Sequence, residues 1–165
     1  MITAGLFRDE RVELIEGVVV EMSPQNAPHS YVIQILSRLL MPRLLGRADV
    51  RVQLPFVAGA HSVPEPDLAI VALGNYMDAH PSQALLIIEV ADSSLKFDRQ
   101  EKADLYARAG VPEYWVVNLA DRIIERHSEP TSGAYTRVTP FRTGETIQPL
   151  AFADLGVRVD EVFGG

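Results

Sequence analysis

The sequence feature that most constrains the fold is an uninterrupted apolar run, Ala84-Leu85-Leu86-Ile87-Ile88-Glu89-Val90. A run of this kind, without polar alternation, is typical of a central strand whose two faces are both covered by other elements. Glu89 is the one charged residue within it. A carboxylate buried without a partner costs several kcal/mol, so we expect a cation to meet it.

The rest of the chain predicts helices and strands in an α/β order. Before the apolar run, the patterns predict a hairpin around Glu16-Gly17, a helix over 29–45 that Pro42 kinks or ends, and strands over 50–57 and 68–73. After it, they predict a helix over 98–109, a strand over 113–118, and a β meander through 123–124, 135–141 and 157–163. The predicted fold class is therefore α/β with extra β-strands at both ends.

Composition narrows the class of protein further. The length of 165 residues and the 47% hydrophobic content suit one compact domain, so we expect a single domain over 1–165. Lys+Arg number 15 and Asp+Glu 22, and the net charge of −7 argues against a protein that coats nucleic acid. Cysteine is absent, so any metal must be held by oxygen or imidazole ligands.

Targeting signals are not found in the sequence. Residues 1–8 lack the cationic start and apolar core of a signal peptide. No stretch approaches the roughly 20 consecutive apolar residues of a membrane span. We therefore expect a soluble cytoplasmic protein.

Two acidic residues lie on or beside predicted strands. Asp67 follows Pro66 at the start of the strand over 68–73, and Glu89 lies in the apolar run. If these strands are neighbours, both carboxylates can meet one divalent ion, because hard divalent cations prefer oxygen ligands. Each residue also has a structural interpretation: Asp67 could cap a turn after proline, and Glu89 could pair with an arginine.

Lys102 is the third candidate. On the predicted helix it shares a face with Leu105 and Tyr106, which turns it toward the sheet. One interpretation places its ammonium near the two carboxylates and a substrate phosphate, where a compact positive charge stabilises developing negative charge. The other is an ion pair with Asp98 at spacing i, i+4 on a solvated surface, contributing a few tenths of a kcal/mol. Lys96, the only other lysine, is interpreted as a surface charge.

The histidines predict no zinc site, since none of the four has the helical spacing of a motif such as HExxH. His29, beside Pro28 at the start of the first helix, is either a cleft-lining residue or a helix-start residue in solvent. Ser93-Ser94 is interpreted as turn and helix-start material. GxxxxGK[ST], GxGxxG and GxSxG motifs are absent, so the standard signals for P-loop, dinucleotide-binding and serine-hydrolase chemistry are missing.

Several features occur in an order that matches a known family. They are Pro66-Asp67, Glu89 in a hydrophobic strand, Asp98-x-x-x-Lys102-x-x-x-Tyr106, and Gly110-Val111-Pro112-Glu113-Tyr114-Trp115-Val116-Val117. Further matches are Glu13-Leu14-Ile15-Glu16-Gly17, Pro28-His29 and Gly144-Glu145-Thr146. The ordered set covers nearly the whole chain and resembles the Uma-type family of restriction endonucleases, within the PD-(D/E)XK phosphodiesterase superfamily.

The resemblance implies a restriction-endonuclease-like core, a mixed β-sheet flanked by helices. It implies that Asp67 and Glu89 are the motif acids and that they hold Mg²⁺ or Mn²⁺, with the backbone carbonyl of Val90 as a further ligand. Ala91 stands where the superfamily has the lysine of its Glu-x-Lys motif. Lys102 is expected to take over the role of that lysine.

The resemblance also implies an additional amino-terminal acid, which matches Glu13, with Glu16 as the competing position. His29, Asp98 and Tyr106 are expected to line the cleft. The implied activity is that of a metal-dependent endonuclease hydrolysing DNA phosphodiester bonds, and family habit adds a homodimer. The alternative is a catalytically silent nuclease-fold module for binding or regulation, which the net charge of −7 favours.

Overall fold

A six-stranded mixed sheet forms the centre of the fold in the computed structural model, which describes residues 11–165. The predictions about a signal peptide in residues 1–8 and a single domain over 1–165 involve residues outside this range, and they stay predictions. None of the helices within residues 11–165 is long and apolar enough to cross a lipid bilayer. The described chain forms, in order, β1 (Val12–Ile15), β2 (Val18–Glu21), α1 (Ala27–Leu44), β3 (Asp49–Val52), β4 (Leu68–Val71), β5 (Leu86–Ala91), α2 (Leu95–Phe97), a π-helical segment (Asp98–Lys102), α3 (Ala103–Arg108), β6 (Glu113–Asn118), β7 (Ile123–Thr131), β8 (Ala134–Phe141), β9 (Thr146–Ile147), β10 (Val157–Arg158) and α4 (Val159–Val162).

The sheet has the strand order β3-β4-β5-β6-β7-β8, so the apolar run forms a central strand, β5. β5 and β6 are parallel, and the other neighbouring pairs are antiparallel. A parallel pair needs a crossover connection, which the helical segments over 95–108 supply. Two further pairs, β1–β2 and β9–β10, lie outside this sheet, which confirms the predicted extra strands toward both ends.

Both faces of β5 are covered, as its continuous apolar sequence predicts. Ile88 contributes to a core that includes the fully buried Leu36 of α1. Ile87 contributes to the core on the opposite face, together with Tyr106 of α3. Because side chains alternate along a strand, Glu89 shares the face of Ile87 and is directed toward the α3 side.

The register of β4 on β5 brings the two acidic candidates together. Leu68 pairs with Ile88 in antiparallel register. Asp67 immediately precedes β4, so it comes next to Glu89 on the neighbouring strand. The two strands are therefore neighbours, which was the condition for the two carboxylates to meet.

Several elements differ from their predicted bounds. β3 covers only the first half of the predicted strand over 50–57, because the next residue, Gln53, has a left-handed backbone with a φ of +52°. Pro42 does not end α1, because the helix continues past it to Leu44. The second helical region begins at Leu95, three residues before the predicted start. The last apolar segment is a short strand followed by α4, so the prediction of a β meander over 157–163 is wrong beyond β10.

Candidate functional site

A cleft of about 290 Å³ opens at the end of the sheet where β4 begins and β5 ends. The β1–β2 hairpin, the start of α1 and the π-helical segment contribute its walls. Its lining includes buried charged residues, each exposed by 5% or less, namely Glu13, Asp67, Glu89, Asp98 and Lys102. Four carboxylates beside one ammonium give the buried part of the cleft an excess of negative charge.

Asp67 is held through both of its carboxylate oxygens. Oδ2 accepts a hydrogen bond from the Val90 N–H at 2.8 Å and lies 3.2 Å from His29 Nε2. Oδ1 accepts from the Gln53 side-chain amide at 3.3 Å, and the Asp67 N–H donates to Glu89 Oε2 at 3.4 Å. These partners are distant in sequence, so Asp67 does not act as the cap of a local turn.

Glu89 meets a cation, as its position in an apolar strand predicts. Oε1 accepts from Lys102 Nζ at 2.8 Å and from the Tyr106 hydroxyl at 2.7 Å. The cation is a lysine, so the alternative of an arginine partner does not match the structure. Burial raises the pKa of Glu89 well above its usual value against the opposing charge of Lys102, and the nearby Asp67 raises it further.

Lys102 lies between two carboxylates. Its Nζ donates to Glu13 Oε1 and to Glu89 Oε1, each at 2.8 Å. The side chain is 5% exposed, which excludes the alternative of a solvated surface ion pair with Asp98. Burial lowers the pKa of Lys102, but Glu89 and Glu13 outweigh this effect and leave the pKa above its usual value. Lys102 is therefore an ammonium ion at neutral pH.

The π-helical segment begins at Asp98 and ends at Lys102, and both side chains are buried in the cleft lining. π-helical turns are rare and occur frequently at functional sites. Asp98 Oδ2 accepts from Ser94 Oγ at 2.6 Å, and the Asp98 carbonyl accepts from the Tyr114 hydroxyl at 3.0 Å. Burial raises the pKa of Asp98 to about 6, although Lys102 and Ser94 act in the opposite direction.

His29 faces the cleft from the first turn of α1. Its side chain is 15% exposed and lies against Asp67, so it is not a helix-start residue in solvent. Burial lowers the pKa of His29, but the hydrogen bond and charge of Asp67 outweigh burial and leave it raised. Within the described residues, His29 Nδ1 is buried without a hydrogen-bond partner.

The structure separates the two candidates for an amino-terminal acid. Glu13 Oε1 accepts from Lys102 Nζ and also from the Glu65 N–H at 2.8 Å. Glu16 lies in the exposed turn between β1 and β2 and pairs with Arg108. Of the two, Glu13 is the one in the cleft.

Gln53 and Ser94 contact the site residues, and sequence reasoning missed both contacts. Gln53 falls inside the predicted strand over 50–57, and Ser94 was interpreted as turn material. A polar residue in a loop or a strand end carries no sequence signal of its distant partner. The only local sign at Ser94 is its spacing of four residues from Asp98.

The donor set fits a hard divalent cation. Asp67 and Glu89 bring carboxylate oxygens from neighbouring strands, and the charge excess in the cleft favours a cation. No three His, Asp or Glu side chains within residues 11–165 are arranged to hold a metal ion by themselves. An ion here would complete its coordination with backbone, water or substrate oxygens, which is the usual pattern for Mg²⁺.

Comparisons with known proteins give a family and a fold. The family model Uma2, with the description "Putative restriction endonuclease", matches residues 4–160. A crystal structure titled as a "putative nuclease belonging to DUF820" from Anabaena variabilis is similar with a TM-score of 0.72 and 15% identity, covering 93% of this chain and 89% of that chain. At this identity the likeness shows the fold alone.

The type IIG restriction endonuclease BpuSI matches with a TM-score of 0.46 and 18% identity. The match covers 82% of this chain and 15% of that chain. No curated protein matches the chain.

Proposed function

The chain belongs to the Uma2 family, and from this premise we propose that it is a metal-dependent endonuclease of the PD-(D/E)XK type that hydrolyses phosphodiester bonds in DNA. The family and the fold support nuclease activity in general. One observation carries the finer proposal. Lys102 Nζ lies between the buried carboxylates of Glu13 and Glu89, and Glu89 in turn accepts a hydrogen bond from the N–H of Asp67.

The restriction-endonuclease-like family implies a divalent metal cofactor in general. We assign Mg²⁺ or Mn²⁺ to the carboxylates of Asp67 and Glu89 and the backbone carbonyl of Val90, because these are the hard oxygen donors that such ions prefer. When bound, the ion would polarise the scissile phosphate and lower the pKa of a water ligand.

Lys102 supplies a buried positive charge from the protein itself, in addition to the charge that a metal ion would bring. Glu89 and Glu13 raise its pKa against the effect of burial, which favours the ammonium form over the neutral amine that a general base would need. A fixed ammonium instead donates hydrogen bonds and stabilises negative charge that develops on the phosphate. Ala91 is buried and has no side-chain charge at the usual lysine position, which supports the transfer of this role to Lys102.

The other cleft residues hold the carboxylates in place. The Tyr106 hydroxyl donates to Glu89, and the Val90 N–H donates to Asp67 beside His29. Carboxylates that are held in one orientation lose less conformational entropy when they bind an ion. The site is therefore organised before a metal ion or DNA arrives.

Asp67→Asn tests the catalytic proposal. We expect purified wild-type protein to nick or cut DNA with Mg²⁺ or Mn²⁺, and the variant to lose this activity because the amide removes a charged ligand. The measurement is conversion of supercoiled plasmid to nicked and linear forms. Asp154→Asn is the matched control, because Asp154 is exposed and pairs with Arg47 away from the cleft. Equal cutting by Asp67→Asn and wild type would end the proposal.

A catalytically silent binding or regulatory module is the second candidate, favoured by the net charge of −7. Calorimetric titration with Mn²⁺ separates the two. The nuclease proposal predicts binding that Glu89→Ala abolishes, because the variant removes one of the two carboxylate ligands. A silent module predicts no binding at this site in either protein. Glu101→Ala, at an exposed position of the π-helical segment, is the control.

Two further predictions belong to this proposal. The homodimer follows from family habit and the apolar carboxyl-terminal segment, and a monomeric mass in light scattering would refute it. The cytoplasmic location stays a prediction.

A further inference from the structure

Gln53 has a backbone conformation that residues other than glycine rarely adopt. Its φ is +52°, in the left-handed region, immediately after the end of β3. Glycine adopts this conformation without steric cost, so a glutamine here needs a compensating reason.

The side chain of Gln53 supplies such a reason. The Gln53 N–H donates to the Asp67 carbonyl at 3.1 Å, a bond that any residue except proline could make at this position. The side-chain amide Nε2 also donates to Asp67 Oδ1 at 3.3 Å, which requires a side chain with a hydrogen-bond donor. With its left-handed backbone, Gln53 thus donates two hydrogen bonds to Asp67. Its N–H donates to the Asp67 carbonyl, and its side-chain amide donates to the Asp67 carboxylate.

The two oxygens of Asp67 have unequal support. Oδ2 is held by the Val90 N–H and lies near His29. Among residues 11–165, the Gln53 amide is the only hydrogen-bond donor to Oδ1. Rotation of the carboxylate about its Cβ–Cγ bond moves both oxygens, and without the Gln53 amide only the contacts of Oδ2 would oppose that rotation.

We propose that Gln53 is a positioning residue that fixes the orientation of the Asp67 carboxylate for a divalent ion. The inference rests on the proposed function, since it assumes that Asp67 is a metal ligand. Gln53 acts through Asp67 and does not itself contact the ion. The hydrogen bond of its amide to Oδ1 compensates for the left-handed backbone.

Two variants distinguish the effect of the side-chain amide from the effect of the left-handed backbone. Gln53→Gly keeps the left-handed conformation without strain and removes the amide. Gln53→Met keeps the size of the side chain and its strain and also removes the amide. Ser132→Gly is the control, because Ser132 has a φ of +52° in the exposed turn between β7 and β8, away from the cleft. The measurements are Mn²⁺ affinity by calorimetry, melting temperature in EDTA, and kcat and KM on DNA.

We expect both Gln53 variants to weaken Mn²⁺ binding by about tenfold, the effect typical of losing a group that orients a metal ligand. We also expect kcat to fall with KM unchanged, and the melting temperature of Gln53→Gly in EDTA not to fall. Ser132→Gly should match wild type in metal affinity and in kcat.

Wild-type Mn²⁺ affinity and kcat in both Gln53 variants would overturn the positioning role. A lower melting temperature of Gln53→Gly in EDTA would also overturn it, because Gln53 would then be a structural residue. If the wild-type protein itself binds no Mn²⁺, the proposed function fails. This outcome is distinguishable from failure of the positioning role, in which wild type and both variants bind Mn²⁺ equally well.

Discussion

Lys102 is buried with two carboxylates although it lies far from one of them in the sequence. Its partners Glu13 and Glu89 are 89 and 13 residues away. The lysine neutralises part of the charge that burial makes unfavourable, and its own charge is stabilised by theirs. Removing one partner of such a buried group leaves the others uncompensated.

Lys102→Met is therefore expected to abolish DNA cutting and to lower the free energy of unfolding by about 3 kcal/mol, as is typical when a buried ion pair loses one partner. Methionine keeps the length and apolar character of the lysine stem, so the loss of activity and stability can be attributed to removal of the ammonium group. Urea unfolding followed by circular dichroism measures the stability. Lys96→Met, at an exposed position, should change neither stability nor cutting. Stability equal to wild type in Lys102→Met would contradict a buried ionic role.

The π-helical segment is held to the sheet by an ion pair next to the cleft. Arg99 follows Asp98 and donates through Nε to Glu125 of β7 at 3.1 Å. His127 Nε2 lies 3.6 Å from the same carboxylate. Burial raises the pKa of Glu125, but His127 and Arg99 outweigh burial and lower it to about 2. This pair therefore fixes the element that carries Asp98 and Lys102.

Glu125→Gln gives a prediction for the pH dependence of stability. The pKa of Glu125 falls on folding from its usual value of 4.5 to about 2. A carboxylate with a lowered pKa stabilises the folded state above its unfolded pKa, and this contribution is lost as the pH falls toward 2. The wild type should therefore melt above the variant at pH 7, and the difference should disappear between pH 4.5 and 2. Melting curves of both proteins over this range measure it, and a constant difference would contradict the ion pair.

Arginine side chains could contact the phosphate backbone of DNA, but many of the described ones already form ion pairs within the protein. Many arginines in residues 11–165 pair with carboxylates of the same chain, namely in Arg11–Glu65, Arg47–Asp154, Arg99–Glu125, Arg108–Glu16, Arg126–Glu113, Arg137–Glu129 and Arg158–Asp160. These pairs neutralise much of the arginine charge, and the net charge of the whole chain is −7. If the proposed function is correct, contact with DNA is expected to depend on the cleft and on the metal ion proposed to bind there.

This charge distribution predicts a shallow salt dependence of DNA binding. The logarithm of the affinity should fall with the logarithm of salt concentration with a slope no steeper than about −3, since each phosphate contact contributes about −0.9. Fluorescence anisotropy of a labelled duplex with the Asp67→Asn variant measures the slope without cleavage. Arg11→Gln, in the cleft lining, should make the slope shallower, and Arg137→Gln on β8 should not. A slope near −8 would contradict the prediction, because it requires an extended phosphate-binding surface.

Some features of the protein follow from local sequence patterns alone. The apolar run predicted β5 as a covered central strand, because continuous hydrophobicity is stable only where both faces are buried. Glu89 and Lys102 were recognisable because charged side chains on apolar elements need partners. The bounds of β3 and the nature of the last segment over 157–163 were not predicted correctly, because a left-handed residue and a short helix carry weak local signals.

The hydrogen-bond and ion-pair partners of these residues depend on the tertiary structure. Glu13 and Glu16 are almost adjacent in sequence. Leu14 of β1 pairs with Val63 in the segment between β3 and β4, which holds the hairpin where Glu13 can reach Lys102. The contact of Gln53 with Asp67 depends in the same way on the turn after β3 and on its pairing with β4. Hydrogen bonds at such sequence separations depend on register and docking, which arise from the packing of the whole chain and not from the pattern of any one segment.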